Sequence, residues 1–577
     1  MLTYNLHELP FSRAGSFLTI SAQNGTGSLR LAYKTCSARS VSVKDSPFWA
    51  HDFFELALLK DQHEVPYTWT AQPHRLDLHT ENSGSVTLVF LDSESILFAT
   101  RGVSLRLLPY KPFATLHHPH PDQLILYDRA AHGMHYFHAG ANTELRYTPT
   151  ATLHGVNEYI HQTPYTIEFI GKPNAHGAFR FTQYETPWEA PLPPIDTTIQ
   201  QRDAELTAWL QQMPIVSEHY HHAAKQAWLV LWSNQVPAYG YLTRPTIYCS
   251  QFSMAATWAW DNCFHALAVT RANPELAWDQ LRLFFDHQTE QGQIPDPIND
   301  LNAIYGHTKP PIFGWTIRKM VNWLGVEASR PYIEQLYEPV ARFTNWWYHA
   351  RDVDHDGMCL YLHGNDSGWD NATIFDEGFP VKGPDLAAYL SQQMESLAFM
   401  ADILGKKDAA AEWKHRAKQQ RTFLFEHSVS NQRFMPIRNG THTTATGQSL
   451  INTMPIILGR HLPDTIRTTL LGDLAPEGPF LTPYGYASES PQSPKYETDG
   501  YWRGPIWASA NYLIIEGLID AGASDLARLV AQRFCDMCAS NSGFWENYNA
   551  LTGEGLRCPG YTWSAAVFIL LAEWLGI

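Results

Sequence analysis

The sequence predicts an (α/α)6 toroid preceded by an antiparallel β-sandwich, so the protein is mainly α with an N-terminal β domain. Short β-rich runs broken by turn residues fill the first third of the chain, and apolar residues at helical spacing dominate the remainder. The length of 577 residues also exceeds a typical domain of roughly 100–200 residues. We therefore expect a β-sandwich over residues 1–195, a linker over 196–216 and a toroid over 217–577.

The β-sandwich is predicted from alternating or β-rich runs that end at turn signals. Examples are Ser28–Tyr33, Ser85–Leu91 and Val103–Leu108, and Asn24-Gly25 is a turn pair. The stretch Thr186–Asp196 is rich in proline, which is typical of an extended boundary segment.

The toroid is predicted from helical segments that form six hairpins of comparable size without an internal repeat. They lie near residues 217–236, 255–271, 275–289, 311–323, 331–350, 384–404, 408–425, 447–458, 463–472, 505–521, 524–539 and 562–575. An open α-solenoid is the alternative to a closed toroid. In a closed toroid the long loops between the helices meet at one mouth, and such loops usually carry function.

Composition excludes several classes of function. With 41 Lys and Arg against 57 Asp and Glu, the net charge is −16, which disfavours binding to nucleic acid or an anionic membrane. No apolar stretch is long enough to span a bilayer, and the first residues lack a secretory signal, so a cytoplasmic location is expected. Seven cysteines in a chain of this length argue against a disulfide scaffold.

Aromatic residues are abundant, with 20 Trp, 27 Tyr and 28 Phe. Planar rings stack on sugar rings while carboxylates and amides bind the hydroxyls, so a small oligosaccharide or glycoside is the expected partner, although large cores also hold many aromatics. Walker-A, G-x-G-x-x-G, G-x-S-x-G and H-E-x-x-H motifs are absent, and no cofactor is expected for the chemistry. The sequence leaves the oligomeric state open.

The strongest local signal is the loop Gly364–Asn371, with the sequence GNDSGWDN. Hydrolysis of an acetal needs a carboxylic acid that protonates the leaving oxygen, and an adjacent Trp can both desolvate that acid and stack on the sugar. Asp370 is therefore the candidate general acid. The alternative is that Asp366 and Asp370 only form turns that organise the loop.

A second carboxylate is needed for such chemistry, and the segment Phe544–Tyr548 (FWENY) supplies Glu546 between aromatic residues. A glutamate in an aromatic pocket can act as a base toward water. The alternative is a glutamate that only accepts hydrogen bonds from nearby backbone amides.

A third acid, Asp261, follows Trp260 at the start of an apolar helix. A buried acid needs a partner, which is either a sugar hydroxyl or a structural ion pair with a residue such as Arg503. Arg503 itself lies between Trp502 and Gly504, where it either binds substrate or braces the mouth of the toroid.

The segment Asp352-Val-Asp354-His-Asp356-Gly357 matches the first half of an EF-hand calcium loop. His363 stands where the bidentate glutamate of such a loop is expected. A structural Ca²⁺ ion held by Asp352, Asp354 and Asp356 is thus one prediction, and a solvated acidic turn is the other.

Four motifs in this order resemble glycoside hydrolase family 63 and its bacterial relatives. They are W-x-W-D-x-x-F-H at Trp258–His265, S-G-W-D-N at Ser367–Asn371, Y-W-R-G-P-I-W at Tyr501–Trp507, and E-N-Y, T-G-E and W-S-A-A within Glu546–Ala566. The family includes processing α-glucosidases, bacterial α-glucosidases and mannosylglycerate or glucosylglycerate hydrolases. The N-terminal third has no motif that matches by residues.

The resemblance implies an inverting, exo-acting α-glycosidase with Asp370 as general acid and Glu546 as general base. The acidic loop at Asp352 resembles the calcium loop of one bacterial branch. The remaining motif residues are expected to bind the sugar or line its site: Trp258, Trp260, Asp261, His265, Trp369, Tyr501, Trp502 and Arg503.

The expected activity is an α-glucosidase that acts on short α-glucosides. An α-mannosidase or a mannosyl- or glucosylglycerate hydrolase of the same fold is the alternative. A non-catalytic carbohydrate-binding toroid would lack one competent carboxylate, and a glycoside phosphorylase would replace the base by a phosphate pocket.

Overall fold

The computed structural model describes residues 2–22, 28–34, 52–109, 114–128, 133–147, 166–172, 175–182, 191–252, 254–438, 443–444 and 448–576. The chain divides into two units, each with its own contacts. The first comprises Met1–Gln212, Trp232–Pro237 and Gln251–Ala255, and the second comprises Met213–Leu231, Ala238–Ser250 and Ala256–Ile577.

Two antiparallel sheets form the first unit. In spatial order, the strands of one sheet are Leu18–Ala22, Leu29–Tyr33, Asp52–Lys60, Ser104–Pro109, Ile167–Gly171 and Thr143–Tyr147, and His63–Val65 pairs with Asp52–Lys60. The strands of the other are Ala114–His120, Gln123–Asp128, Gly133–Ala139, Ala175–Thr182, Ser95–Arg101, Ser85–Phe90, Arg75–His79 and Thr68–Gln72.

One hydrophobic core lies between these two sheets. Phe98 of one sheet meets Phe169 of the other with ring centroids 4.7 Å apart, and Leu31 and Leu105 belong to the same buried cluster. Burial of alternate side chains from two facing sheets defines a sandwich. The predicted β-sandwich is confirmed.

The predicted linker over residues 196–216 is wrong, because a helix spans Ile195–Gln211. Ile195 and Ile199 stand four residues apart on one helix face, and they pack against a buried cluster that includes Val89 and Leu97. The apolar spacing makes this segment part of the first unit rather than a connector.

Each predicted helical segment of the remaining chain corresponds to a helix. These helices are His221–Ser233, Ala259–Val269, Pro274–Asp286, Phe313–Leu324, Val326–Arg351, Pro384–Ile403, Lys407–His427, Leu450–His461, Asp464–Leu474, Ala508–Asp520, Ser524–Ser540 and Thr562–Gly576. Short helical turns and small sheets of two or three short strands occupy the loops. They include Glu218–Tyr220, Gly364–Ser367 and Thr373–Phe375 among the turns, and Gln235–Val236, Thr246–Ile247, Val381–Lys382, Val429–Ser430, Arg433–Phe434, Ile437–Arg438, Thr443–Thr444, Leu481–Thr482, Gly485–Tyr486, Trp545–Tyr548 and Gly555–Pro559 among the strands.

Alternate helices of this series form a closed inner ring. In order around the ring they are Ala259–Val269, Phe313–Leu324, Pro384–Ile403, Leu450–His461, Ala508–Asp520 and Thr562–Gly576, and the last contacts the first. A solenoid would leave its two ends apart. The ring therefore confirms the toroid and excludes the alternative.

The fourth helix of the ring is a 3-10 helix rather than the expected α-helix. Pro455 lacks the N–H that an α-helix would use, and Gly459 has φ +50°, outside the helical region.

Among the described residues, no helix is both long and apolar enough to cross a membrane.

Candidate active site

Three predicted acids come from three separate parts of the toroid. Asp261 lies in the first turn of the helix Ala259–Val269, Asp370 follows the short helix Gly364–Ser367, and Glu546 lies on the strand Trp545–Tyr548. The charges of all three raise the pKa of Tyr501, whose burial is the largest cause of that shift. The fold therefore brings the three acids together around one tyrosine.

Asp366 organises the loop that carries Asp370. Its buried carboxylate accepts hydrogen bonds from the guanidinium of Arg351 at 2.8 Å and from the backbone N–H groups of Leu362 and Thr308 at 3.0 and 3.1 Å. A buried carboxylate with several donors is a structural anchor. Asp366 therefore has the structural role that the turn-forming alternative describes. Asp370 does not share this environment, because its side chain keeps 27% of its surface exposed.

A buried lysine that the sequence analysis missed lies beside Asp370. Lys309 Nζ is 3.5 Å from Asp370 Oδ1 and 4.0 Å from Asp296 Oδ2, and it donates a hydrogen bond to the carbonyl of Asn365 at 2.9 Å. Burial opposes its charge, but the carboxylates of Asp370, Asp296 and Asp261 outweigh burial and raise the pKa of the ammonium. One feature of the sequence could have identified Lys309. It is a lone lysine in an apolar loop segment, and a buried lysine requires acidic partners.

Glu546 is the buried member of the acid pair, with 5% of its surface exposed. Its carboxyl group has a pKa raised to about 7, chiefly by burial and to a smaller extent by the charge of Asp370. A hydrogen bond of 3.1 Å from the hydroxyl of Tyr501 and the charge of Arg557 act in the opposite direction. Glu546 is therefore poised to exchange a proton near neutral pH.

Asp261 does not form the ion pair with Arg503 that the sequence left open. Arg503 instead pairs with Asp376, and its Nε donates to the carbonyl of Asn371 at 3.0 Å. Cys249 Sγ donates a hydrogen bond to Asp261 Oδ1 at 3.4 Å, and burial raises the pKa of this aspartate. Arg503 braces the loop next to Asp370, and Asp261 keeps its capacity to accept hydrogen bonds from a ligand.

Three of the four predicted tryptophans, Trp260, Trp369 and Trp502, form one packed cluster. Trp502 stacks on Trp507 with centroids 4.0 Å apart, and Trp369 lies 4.5 Å from Trp502. Trp260, Trp369 and Trp502 are at most 1% exposed, so they support the site and do not present open stacking faces. Trp258, at 8%, is the most exposed of the four that the sequence assigned to substrate.

The surroundings of His265 contradict the prediction that it binds substrate. It is fully buried, its Nε2 hydrogen-bonds Thr562 Oγ1 at 2.7 Å, and its Nδ1 hydrogen-bonds Asn262 Oδ1 at 3.2 Å. Burial lowers the pKa of its imidazole to about 3. The residue therefore ties two helices of the inner ring together as a neutral histidine.

The acidic turn lies apart from these groups in the sequence, before the loop of Asp370. Carboxylate oxygens of Asp352, Asp354 and Asp356 lie within 4.8 Å of one another, as the calcium prediction requires. The ammonium of Lys382, however, donates hydrogen bonds to Asp354 and Asp356.

Comparison with known proteins identifies the helical region. Residues 254–564, more than half of the chain, match the family model of the mannosylglycerate hydrolase MGH1-like glycoside hydrolase domain. Mannosylglycerate hydrolase from Thermus thermophilus is 24% identical over 389 residues, which are 54% of this chain and 92% of that protein.

Solved structures show the same architecture. A GH63 mannosylglycerate hydrolase from Thermus thermophilus in complex with glucose superposes with a TM-score of 0.54 at 22% identity, covering 61% of this chain and 99% of that one. A bacterial glucoamylase complexed with acarbose superposes with a TM-score of 0.58 at 9% identity, covering 98% of this chain and 95% of that one. The likeness to the glucoamylase extends over both units.

Proposed function

Because the chain belongs to the mannosylglycerate hydrolase MGH1-like family of glycoside hydrolases, within family 63, we propose that it is an inverting, exo-acting α-glycosidase. The substrates that we propose are short α-glucosides. Membership of a hydrolase family argues against the non-catalytic carbohydrate-binding alternative.

The observation that carries this proposal is a pair of carboxyl groups in different environments within one site. Asp370 is partly exposed beside the ammonium of Lys309, whereas Glu546 is buried with its pKa raised to about 7. Two carboxyl groups whose environments differ in this way can divide the acid and base roles between them. The motifs assign the two roles: Asp370 lies in S-G-W-D-N, at the position of the general acid, and Glu546 lies in E-N-Y, at the position of the general base.

In the proposed reaction, Asp370 protonates the oxygen of the leaving group. Glu546 accepts a proton from a water molecule, which attacks the anomeric carbon on the opposite face of the ring. The bond to the leaving oxygen breaks as the bond to water forms, so the anomeric configuration inverts. The hydroxyl of Tyr501 holds the carboxylate of Glu546 in place through its 3.1 Å hydrogen bond.

The identity of the sugar is the finer part of the proposal. We favour glucose because the motifs resemble those of a family that includes α-glucosidases, and because the similar Thermus structure is a complex with glucose. A mannoside, or a glycoside of glycerate, is the second candidate, since the Thermus relative is a mannosylglycerate hydrolase.

A hydrolysis screen followed by proton NMR tests the proposal. Its substrates are α-linked glucose and mannose disaccharides and the glycerate glycosides of both sugars, with and without inorganic phosphate. We expect β-glucose to appear first, without phosphate. First release of the α-anomer would contradict inversion, release of mannose alone would favour the second candidate, and phosphate dependence would indicate a phosphorylase.

The pH dependence of kcat/KM is predicted from the pKa of Glu546. A general base must be ionised, so kcat/KM should fall as the pH is lowered through about 7. In Tyr501→Phe the carboxylate loses its donor, which raises that pKa and moves the acidic limb upward by about one to two pH units. Tyr486→Phe is the matched control, because its hydroxyl donates to the carbonyl of Leu474. Identical profiles for wild type and Tyr501→Phe would contradict the role of Tyr501.

Replacement of Asp261 by Asn should weaken the interaction with the sugar. Charge-assisted hydrogen bonds contribute about 1.5–3 kcal/mol, so kcat/KM should drop by about 10- to 150-fold. The Tm should stay close to that of the wild type, since in the described part of the chain Asp261 has no arginine partner. A lower Tm with unchanged kcat/KM would show that the residue is only structural.

A further inference from the structure

The segment Asp352–His363 has the layout of a calcium loop but not its complete set of ligands. Asp352, Asp354 and Asp356 occupy the first, third and fifth positions, and Gly357, with φ +82°, makes the sharp turn at the sixth. The twelfth position is His363. Its Nδ1 accepts a hydrogen bond from the N–H of Asn365 at 3.1 Å and so caps the helix Gly364–Ser367.

A lysine side chain fills the place where a cation would bind. Lys382 Nζ, which is fully buried, donates to both carboxylate oxygens of Asp354 at 2.8 Å and to Asp356 Oδ2 at 2.6 Å. Ca²⁺ requires six to eight oxygen ligands, and a bound ammonium repels it. The acidic turn, with Lys382 in place, does not fit the calcium ion that the sequence pattern suggests.

The position of Lys382 in the chain links the acidic turn to the loop that carries Asp370. Val381, next to Lys382, exchanges two backbone hydrogen bonds with Tyr361, of 2.7 and 3.1 Å. These bonds close the base of the loop that carries Asp370, and the acidic turn ends four residues before Tyr361. The ion pairs of Lys382 with Asp354 and Asp356 therefore connect the segment that follows the loop of Asp370 with the segment that precedes it.

We propose that Lys382 acts as a built-in cation, which replaces a divalent metal ion in the acidic turn and positions the loop of Asp370. The positioning role rests on the proposed function, in which Asp370 is the general acid. Lys382 is a positioning residue, because its contacts are with the acidic turn and not with the reacting groups.

The same geometry means that a metal site should appear when the ammonium is removed. Asp352 is 8% exposed, and its Oδ1 has no hydrogen-bond partner in the described part of the chain. Without Lys382 the three carboxylates would repel one another at short distance, and a divalent cation would relieve that repulsion.

The test compares the wild type with Lys382→Met, using CaCl₂, EDTA and Tb³⁺ luminescence as probes. In the wild type, neither EDTA nor millimolar Ca²⁺ should change the Tm, and Tb³⁺ should not bind at the turn. In Lys382→Met the Tm should fall and kcat should decrease by about 10- to 100-fold at unchanged KM. Added Ca²⁺ should restore both quantities in part, and Tb³⁺ should bind. Lys406→Met is the matched control, since Lys406 pairs with Glu338 on the surface.

The outcomes separate the parts of the proposal. Tb³⁺ binding to the wild-type turn, or a Tm lowered by EDTA, would overturn the replacement of a metal by lysine even if Lys382→Met failed to fold. A folded Lys382→Met variant without a response to metal would also overturn it. If Lys382→Met had a lower Tm but the kcat of the wild type, the positioning role of Lys382 would be overturned. If the wild type hydrolysed no glycoside, the proposed function would fail, while the Tm and Tb³⁺ measurements would still decide the metal question.

Discussion

Asp370→Asn is expected to lower kcat by about 10²- to 10⁴-fold on glycosides with poor leaving groups, because the amide cannot donate the proton that the leaving oxygen needs. Substrates whose leaving group departs without protonation, such as glycosyl fluorides, should retain far more of their rate. The KM should change little. The measurement is a comparison of kcat for a disaccharide and for the corresponding glycosyl fluoride, in the wild type and the variant.

Asp366→Asn serves as the neighbouring control for this prediction. Asp366 holds the loop through Arg351 and the backbone N–H groups of Thr308, Leu362 and His363, so its substitution should mainly lower the Tm. Its effect on kcat should be the same for both substrates, because any loss comes from loop geometry. If Asp370→Asn hydrolysed the disaccharide at nearly the wild-type rate, Asp370 would not be the acid.

Glu546→Gln is expected to lower kcat by about 10²- to 10⁴-fold on the disaccharide and the fluoride alike. The amide cannot accept the proton from the attacking water, and a better leaving group does not replace that step. Glutamine keeps the shape of the side chain and can still accept the hydrogen bond of Tyr501, so the fold and the KM should be preserved.

The pH profile distinguishes the base from a merely structural glutamate. The residual activity of Glu546→Gln should lose the acidic limb near pH 7, since the group that titrates there is gone. A variant that kept both its rate and this limb would show that another group activates the water. A selective loss on the disaccharide, with the fluoride unaffected, would assign Glu546 the acid role instead.

The sequence predicted the site only where short motifs carried the information. The motifs around Asp370 and Glu546 identified these two residues as the candidate acid and base. The structure places both of them close to Tyr501. His265 belonged to one of the motifs as well. Membership of a motif does not reveal the direction of a side chain, and this one points into the core.

Lys309 and Lys382 show why the remaining site residues were missed. Lys309 meets Asp370 and Lys382 meets Asp354 and Asp356, and in both cases the partners lie far away in sequence. A lone lysine in an apolar segment indicates that an acid must be near, but it does not say which one. Arg503 is a similar case, because its partner, Asp376, lies more than 100 residues away.

The sequence by itself determined the order of the β-sandwich and the helical part, the approximate positions of the toroid helices, and the segments that hold the acids. These features depend on local periodicity, on Pro and Gly, and on short motifs, all of which are read along the chain. The tertiary structure alone decided that the ring closes, that Glu546 is buried with a pKa of about 7, and that Lys382 pairs with Asp354 and Asp356 of the acidic turn. Burial and charge pairing depend on which distant side chains the fold brings within a few ångströms, because desolvation and Coulomb interactions act through space and not along the sequence.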